Sequence, residues 1–300
     1  MSLADQGKII IEVGINEFTT KAQNPSSPYG AEEVAADIID CARAGAAVAH
    51  FHARQDDGSQ HWTGADIYLH AMELIAAESD IVTYPSYFRD HSHVWELAAR
   101  APGGPSSVLA SFDVPQEVVG PRLWNETLCT FEDPPFDTVG GDAPPDPLAE
   151  MAARGVHPTV NVFDVGEARW LTLAVRAGMF PTPLYVKLFL CEQLVNGPFA
   201  DPSGIDAYLS QLPAELDLEC CIVPYTMMDP ARADDLLRAA LARRLHVRVG
   251  IGDSPYAYPS ATNAELVARA VDLVAEAGLT PATPADVRNR LGLAAFAGRP

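Results

Sequence analysis

Short apolar, β-branched runs alternate along the chain with longer stretches whose apolar residues recur every three to four positions. These are the two periods of buried strands and amphipathic helices. Eight runs read as strands: residues 9–15, 46–52, 81–87, 108–114, 159–165, 184–190, 218–223 and 246–251. The helical periods fall at 31–44, 64–77, 93–100, 148–154, 167–177, 205–212, 229–242 and 263–277. Eight strands and eight helices in strict alternation predict a single α/β domain spanning residues 1–300, a (β/α)₈ TIM barrel. Residues 115–147 break the rhythm. Rich in Pro, Gly and Asp, they read as a long irregular excursion after the fourth strand, either a lid or subunit contact on the catalytic face or an inert surface loop.

Composition narrows the setting without altering that architecture. A chain of 300 residues with 48% hydrophobic content can bury a barrel core. No stretch approaches the roughly 20 apolar residues of a membrane span, and residues 1–8 lack the features of a secretory signal, so a cytoplasmic protein is expected. Five scattered cysteines, an odd number mostly inside apolar runs, suit buried thiols better than a disulfide framework. A formal charge of −20 argues against nucleic acid or anionic membranes as partners. A small anionic substrate remains open, because an arginine in a pocket acts locally.

The second run ends in Ala49-His50-Phe51-His52-Ala53-Arg54-Gln55. On a strand, His50 and His52 share a face, so their imidazoles form either a divalent-metal half-site or a hydrogen-bonded pair lining a polar barrel mouth. Barrel enzymes carry their chemistry at the C-terminal ends of the strands. The other ends offer Asn16 and Glu17, Ser86, Ser111 and Asp113, Asn161 and Asp164, Lys187 and Glu192, Tyr225 and Thr226, and Arg248 and Asp253. A second pair, His91 and His93, sits in a polar loop leading into a helix and reads as solvated or capping, with Arg89 or His91 a minor option for a coenzyme A phosphate.

The segments Phe18-Thr19-Thr20-Lys21, Ala44-Gly45-Ala46-Ala47 and His50-Phe51-His52-Ala53-Arg54 resemble the β-keto acid cleavage enzymes. So do Arg248-Val249-Gly250, Asn263-Ala264-Glu265-Leu266-Val267 and Ala282-Thr283-Pro284-Ala285-Asp286-Val287-Arg288 near the C-terminus. The resemblance spans nearly the whole chain and is weakest over 115–147. It implies a homo-oligomeric barrel with a divalent metal, usually zinc, that transfers a unit derived from a β-keto acid onto acetyl-CoA or a related acyl-CoA. By position it implies His50 and His52 as metal ligands, Ser86 and Arg248 as substrate-orienting residues, and Asp253 beside Arg248 as the base. Ser111 and Asp113 stand where the family has Thr and Asn, and are expected to contact substrate.

Two departures mark a divergent subgroup. The family's third metal ligand, a glutamate directly before the aspartate, is replaced by Gly252. A third ligand then comes from elsewhere, Asp253 first, followed by Glu17, Asp164 and Glu219; otherwise the site is metal-free. A family glutamate at the end of the first strand aligns with Phe18, and Glu17 beside it is expected on the opposite face if the strand continues. Lys187, inside Tyr185-Val186-Lys187-Leu188-Phe189, is read first as a salt bridge to Asp164 or Glu219, and second as a holder of a substrate carboxylate or a Schiff-base lysine. The alternatives to acyl-CoA chemistry are a CoA-independent retro-aldol lyase and a catalytically lapsed barrel that binds a small carboxylate.

Overall fold

Each of the eight apolar runs contributes one strand to a single parallel sheet. The structure, a computed structural model, describes residues 1–61, 65–86, 91–114, 123–132 and 147–296. The strands are β1 (Ile11–Gly14), β2 (Val48–Phe51), β3 (Val82–Pro85), β4 (Leu109–Asp113), β5 (His157–Val162), β6 (Leu184–Cys191), β7 (Leu218–Tyr225) and β8 (His246–Val249). Their order is β3-β2-β1-β8-β7-β6-β5-β4. The end strands β3 and β4 lie side by side, so the sheet curls into a nearly closed barrel.

Helices α1 (Gly30–Ala44), α2 (Asp66–Glu78), α3 (Ser92–Arg100), α4 (Pro147–Arg154), α5 (Val165–Arg176), α6 (Pro202–Leu209), α7 (Pro230–Ala242) and α8 (Asn263–Glu276) follow the strands in turn. Their apolar faces and the outer faces of the strands form the main core, with Val34, Ile38, Leu171, Ile205, Leu237 and Val267 among its buried residues. No helix among the described residues is long and apolar enough to cross a membrane. All five cysteines are free, and Cys41, Cys191 and Cys221 are buried.

A ninth helix, α9 (Pro284–Leu291), was not expected from periodicity. Its start is nonetheless written locally: Thr283 and Asp286 form a reciprocal capping box, Pro284 occupies the first turn, and Gly292 ends the helix in the left-handed region at φ 69°. Val287 and Leu291 join Leu3, Val48, Val82 and Leu109 in one apolar cluster, which places α9 and the N-terminal segment against the starts of the strands. The barrel is therefore covered at its N-terminal end, and its chemistry is left to the other. Within the excursion, Leu123–Asn125 and Thr130–Glu132 pair as an antiparallel hairpin, a regular element in a stretch expected to be irregular. The rest of 115–147 lies outside the described residues, except for the start of α4.

Candidate active site

Parallel register sets the buried charges side by side. Glu12 on β1 is level with Arg248 on β8, and His50 on β2 is level with Gly14 on one side and Tyr84 on the other. Arg248 is 2% exposed and is enclosed by carboxylates. Its Nε and Nη2 donate to Asp253 Oδ2 and Oδ1 at 2.9 and 2.7 Å, Nη1 donates to Glu12 Oε1 at 3.0 Å, and Nη2 also donates to Glu17 Oε1. Tyr84 Oη donates to Glu12 Oε1 at 2.5 Å, and Lys187 Nζ donates to Tyr84 Oη at 2.8 Å. Three carboxyl groups thus face two buried basic side chains, Arg248 and Lys187.

Above this layer stand Glu17, His50 and His52. Nε2 of His52 is 2.7 Å from Glu17 Oε2, and Nε2 of His50 is 3.2 Å from Oε1. One donor atom from each of the three lies within 4.8 Å of the others, and all three residues are buried. Two imidazole nitrogens and a carboxylate, with room for a further ligand, form the donor set of an open catalytic zinc site. The residues present therefore fit a divalent metal. Burial pushes the His50 imidazole well below its ordinary range, with Arg248, His52 and Lys187 adding to it against Glu17, and this favours the neutral ligating form. Burial alone would raise Glu17, but His52, His50 and Arg248 outweigh it and hold the carboxyl well below the usual range.

Glu17 reaches this position because β1 has already ended at Gly14. Its backbone turns into the left-handed region at φ 29°, so strand alternation no longer sets its direction. The expectation that Glu17 faces away from the histidines therefore does not hold. Gly252 explains why the carboxylate comes from here. A Cβ on Gly252 would stand 2.7 Å from Gly14 O, 2.8 Å from Asn16 N and 3.0 Å from Glu17 N. The loop bearing Glu17 fills the space that a side chain at 252 would need. Accordingly, Gly252→Ala is expected to cost about 1–3 kcal/mol of stability by overpacking. Gly252→Glu should cost more in urea denaturation and weaken metal binding instead of adding a ligand.

Glu17, His50, His52, Ser86, Ser111, Asp113 and Arg248 all line one cavity of about 220 Å³ at the C-terminal end of the barrel. Asn161, Phe18, Phe163, Phe189 and Tyr225 also line it. Asn161 Nδ2 donates to Ser111 Oγ at 2.9 Å and to Asp113 Oδ1 at 2.5 Å, while its buried Oδ1 has no hydrogen-bond partner among the described residues. Phe163 and Phe189 stack at 4.2 Å and Tyr225 meets Phe189 edge-on at 5.4 Å, so the cavity has one polar and one aromatic wall.

Lys187 and Asp253 do not line the cavity. Lys187 makes neither expected ion pair. Asp164 caps α5, accepting from Gly166 N at 2.6 Å, and Glu219 binds His246 at 2.6 Å and Arg290 at 2.5 Å near the covered end of the barrel. Neither carboxylate stands with His50 and His52 in the donor group found among the described residues. Burial lowers Lys187 to about 8, partly opposed by Glu12. Because the unfolded lysine holds its proton to about 10.5, the folded state binds fewer protons between these values, and stability rises with pH across that window. The gain is expected to reach about 3 kcal/mol. Urea denaturation at pH 8 and pH 10 should show about 2 kcal/mol of this gain in the parent and none of it in Lys187→Met.

His91 and His93 are buried, neither solvated nor capping. His91 Nε2 donates to Ser111 O at 3.1 Å and His93 Nε2 to Ser86 O at 2.5 Å, so both brace the backbone beneath serines of the cavity. Arg89 lies outside the described residues. Glu12 and Tyr84 were missed, although a single acid inside the 9–15 run was a visible signal of a buried charge in need of a partner.

Residues 8–293 match the model of the beta-keto acid cleavage enzyme family. The chain is 25% identical over 294 residues to the 3-keto-5-aminohexanoate cleavage enzyme of Acetoanaerobium sticklandii, covering 95% of this chain and 98% of that one. It is 26% identical over 300 residues to the 3-dehydrocarnitine:acetyl-CoA trimethylamine transferase of Rhizobium meliloti, covering 91% and 92%. In fold it is similar to ObcA, solved as a ternary complex with a C4-CoA adduct and oxalate, with a TM-score of 0.61 at 18% identity over 90% of this chain and 68% of that one. With a (β/α)₈ barrel and a family match over nearly its whole length, the chain belongs to the beta-keto acid cleavage enzyme family.

Proposed function

We propose that the chain is a divalent-metal-dependent enzyme that condenses a β-keto acid with an acyl-CoA of the acetyl-CoA type, releasing a new acyl-CoA and a β-keto acyl product. The observation that carries this reading is the Glu17, His50 and His52 donor set in the wall of the cavity that Arg248 also lines. These three residues would hold the metal, with zinc the best match to the donors, and when bound it would supply Lewis-acid polarisation of a keto group.

Arg248 offers a planar guanidinium to the substrate carboxylate, and Ser86, Ser111 and Asn161 offer neutral hydrogen-bonding groups around it. Asp253 begins with both oxygens on the Arg248 fork. A substrate carboxylate that takes over part of the fork releases one of those oxygens. Burial raises Asp253 to about 7 against the pull of Arg248, a value suited to a base. The released oxygen would have to turn out from behind Arg248 into the cavity to accept a proton from the carbon between two carbonyls. Phe163, Phe189 and Tyr225 would exclude water from the reacting carbon.

Turnover of a panel of β-keto acids with and without acetyl-CoA, followed by mass spectrometry of the thioesters, tests the reading. Consumption of keto acid only in the presence of the thioester, with a new acyl-CoA formed, is the expected result. Turnover unchanged when the thioester is omitted overturns the transferase reading in favour of a retro-aldol lyase.

A further inference from the structure

The loop from Arg54 to Gln60, which follows the histidine pair, closes as a short hairpin. Arg54 and Gln60 form an antiparallel bridge, Gln55 N donates to Ser59 O at 2.9 Å, and His61 N donates to Ala53 O at 2.9 Å. The hairpin brings the Gln60 carboxamide between two of the three proposed metal ligands. Its Nε2 donates to the Glu17 carbonyl at 2.7 Å, and its Oε1 lies 3.3 Å from His52 Nδ1. A carbonyl can only accept, which fixes the orientation of the amide. Oε1 then faces His52, whose Nδ1 is the donor.

We propose that Gln60 is a positioning residue that locks Glu17 and His52 to each other. This inference rests on the reading of Glu17, His50 and His52 as metal ligands. With Nδ1 committed to Gln60, Nε2 is the ring nitrogen left to face Glu17 and the site. His50 has a comparable partner in its own strand neighbour, since its Nδ1 lies 3.3 Å from Tyr84 O. His52 is past the end of β2, and the hairpin supplies a partner for its Nδ1.

The Glu17 carbonyl needs holding because the residue sits at φ 29°, in a conformation rarely adopted by a residue with a side chain. Three groups grip this stretch of backbone. Gln60 takes the Glu17 carbonyl, and the buried Arg54 guanidinium donates to the same carbonyl and to Asn16 O at 2.9 Å. Asn16 links the two ligand segments directly, accepting from His52 N at 2.9 Å and donating to His52 O at 3.1 Å. Of these groups, Gln60 alone contacts a ligand's side chain, and it is half-buried on a surface hairpin, where substitution leaves the core intact.

The test is zinc affinity by chelator competition on the metal-stripped full chain, together with the melting temperature of each metal-free protein. Gln60→Ala is expected to weaken zinc binding by about 10- to 100-fold with the metal-free melting temperature unchanged. Gln60→Glu keeps an acceptor for His52 and loses the donor to Glu17, so its affinity should fall between those of Gln60→Ala and the parent. Zinc affinity in Gln60→Ala within about twofold of a parent that binds zinc overturns the role of Gln60 and leaves the ligand assignment standing. An affinity loss matched by a lower metal-free melting temperature in both variants makes the residue merely structural and also overturns it. A parent chain that binds no zinc overturns the ligand assignment and this inference together.

Discussion

Arg248→Met is expected to lose about 3–5 kcal/mol of stability in urea denaturation and to lower kcat/KM by about 10²- to 10³-fold. Both losses have one origin. Arg248 is the shared partner of Glu12, Glu17 and Asp253, all three buried, and a neutral side chain of similar length strands three carboxyl groups away from water. Lys187 cannot take over, because its ammonium is held on Tyr84 Oη. The kinetic loss follows from the fork: it reaches the cavity wall and is the group there best able to hold a carboxylate in two hydrogen bonds. Arg248→Lys separates the two effects. A lysine restores a positive charge and part of the stability, but its single ammonium cannot span both Asp253 oxygens and Glu17, so catalysis should stay near the level of the methionine variant.

Glu17→Ala is the second large effect. Removal of a proposed direct ligand is expected to weaken metal binding by more than the roughly 10- to 100-fold of an outer-shell change. It should also abolish measurable keto acid turnover. Stability should fall less than in Arg248→Met, because Arg248 keeps Asp253 and Glu12. Glu17→Gln keeps the shape and one carbonyl oxygen, so a partial recovery of metal affinity over the alanine variant would show that the oxygen donor matters apart from loop packing. Chelator competition and steady-state kinetics on the same preparations read out both.

Much of this molecule is legible from its sequence, for identifiable reasons. Strands such as 184–190 and helices such as 263–277 declare themselves because their periods are local and their burial is one-sided, and the strict alternation of the two implies the barrel. The histidine pair was readable because two residues on one strand share a face whatever surrounds them. What escaped depends on partners far away in the chain. Glu12 is unremarked in its run until β8 sets Arg248 beside it, and Lys187 meets Tyr84 across 103 positions instead of either acid proposed for it. Glu17 could not be oriented from alternation, since its direction follows from a backbone turn after β1 has ended. Gly252 reads as a lost ligand in sequence; in three dimensions it is the space into which the loop carrying Glu17 packs. The ninth helix, by contrast, is written in its caps, although its apolar stripe is too short to read as a helical period.

In the proposed function, Glu17, His50 and His52 hold one divalent metal ion per chain. Elemental analysis of purified parent protein beside Glu17→Ala, His50→Ala and His52→Ala measures it most directly. One ion per chain in the parent, lost in all three variants while each remains folded by circular dichroism, is the result predicted. A substoichiometric metal content that does not fall when His50 is replaced by alanine would contradict it.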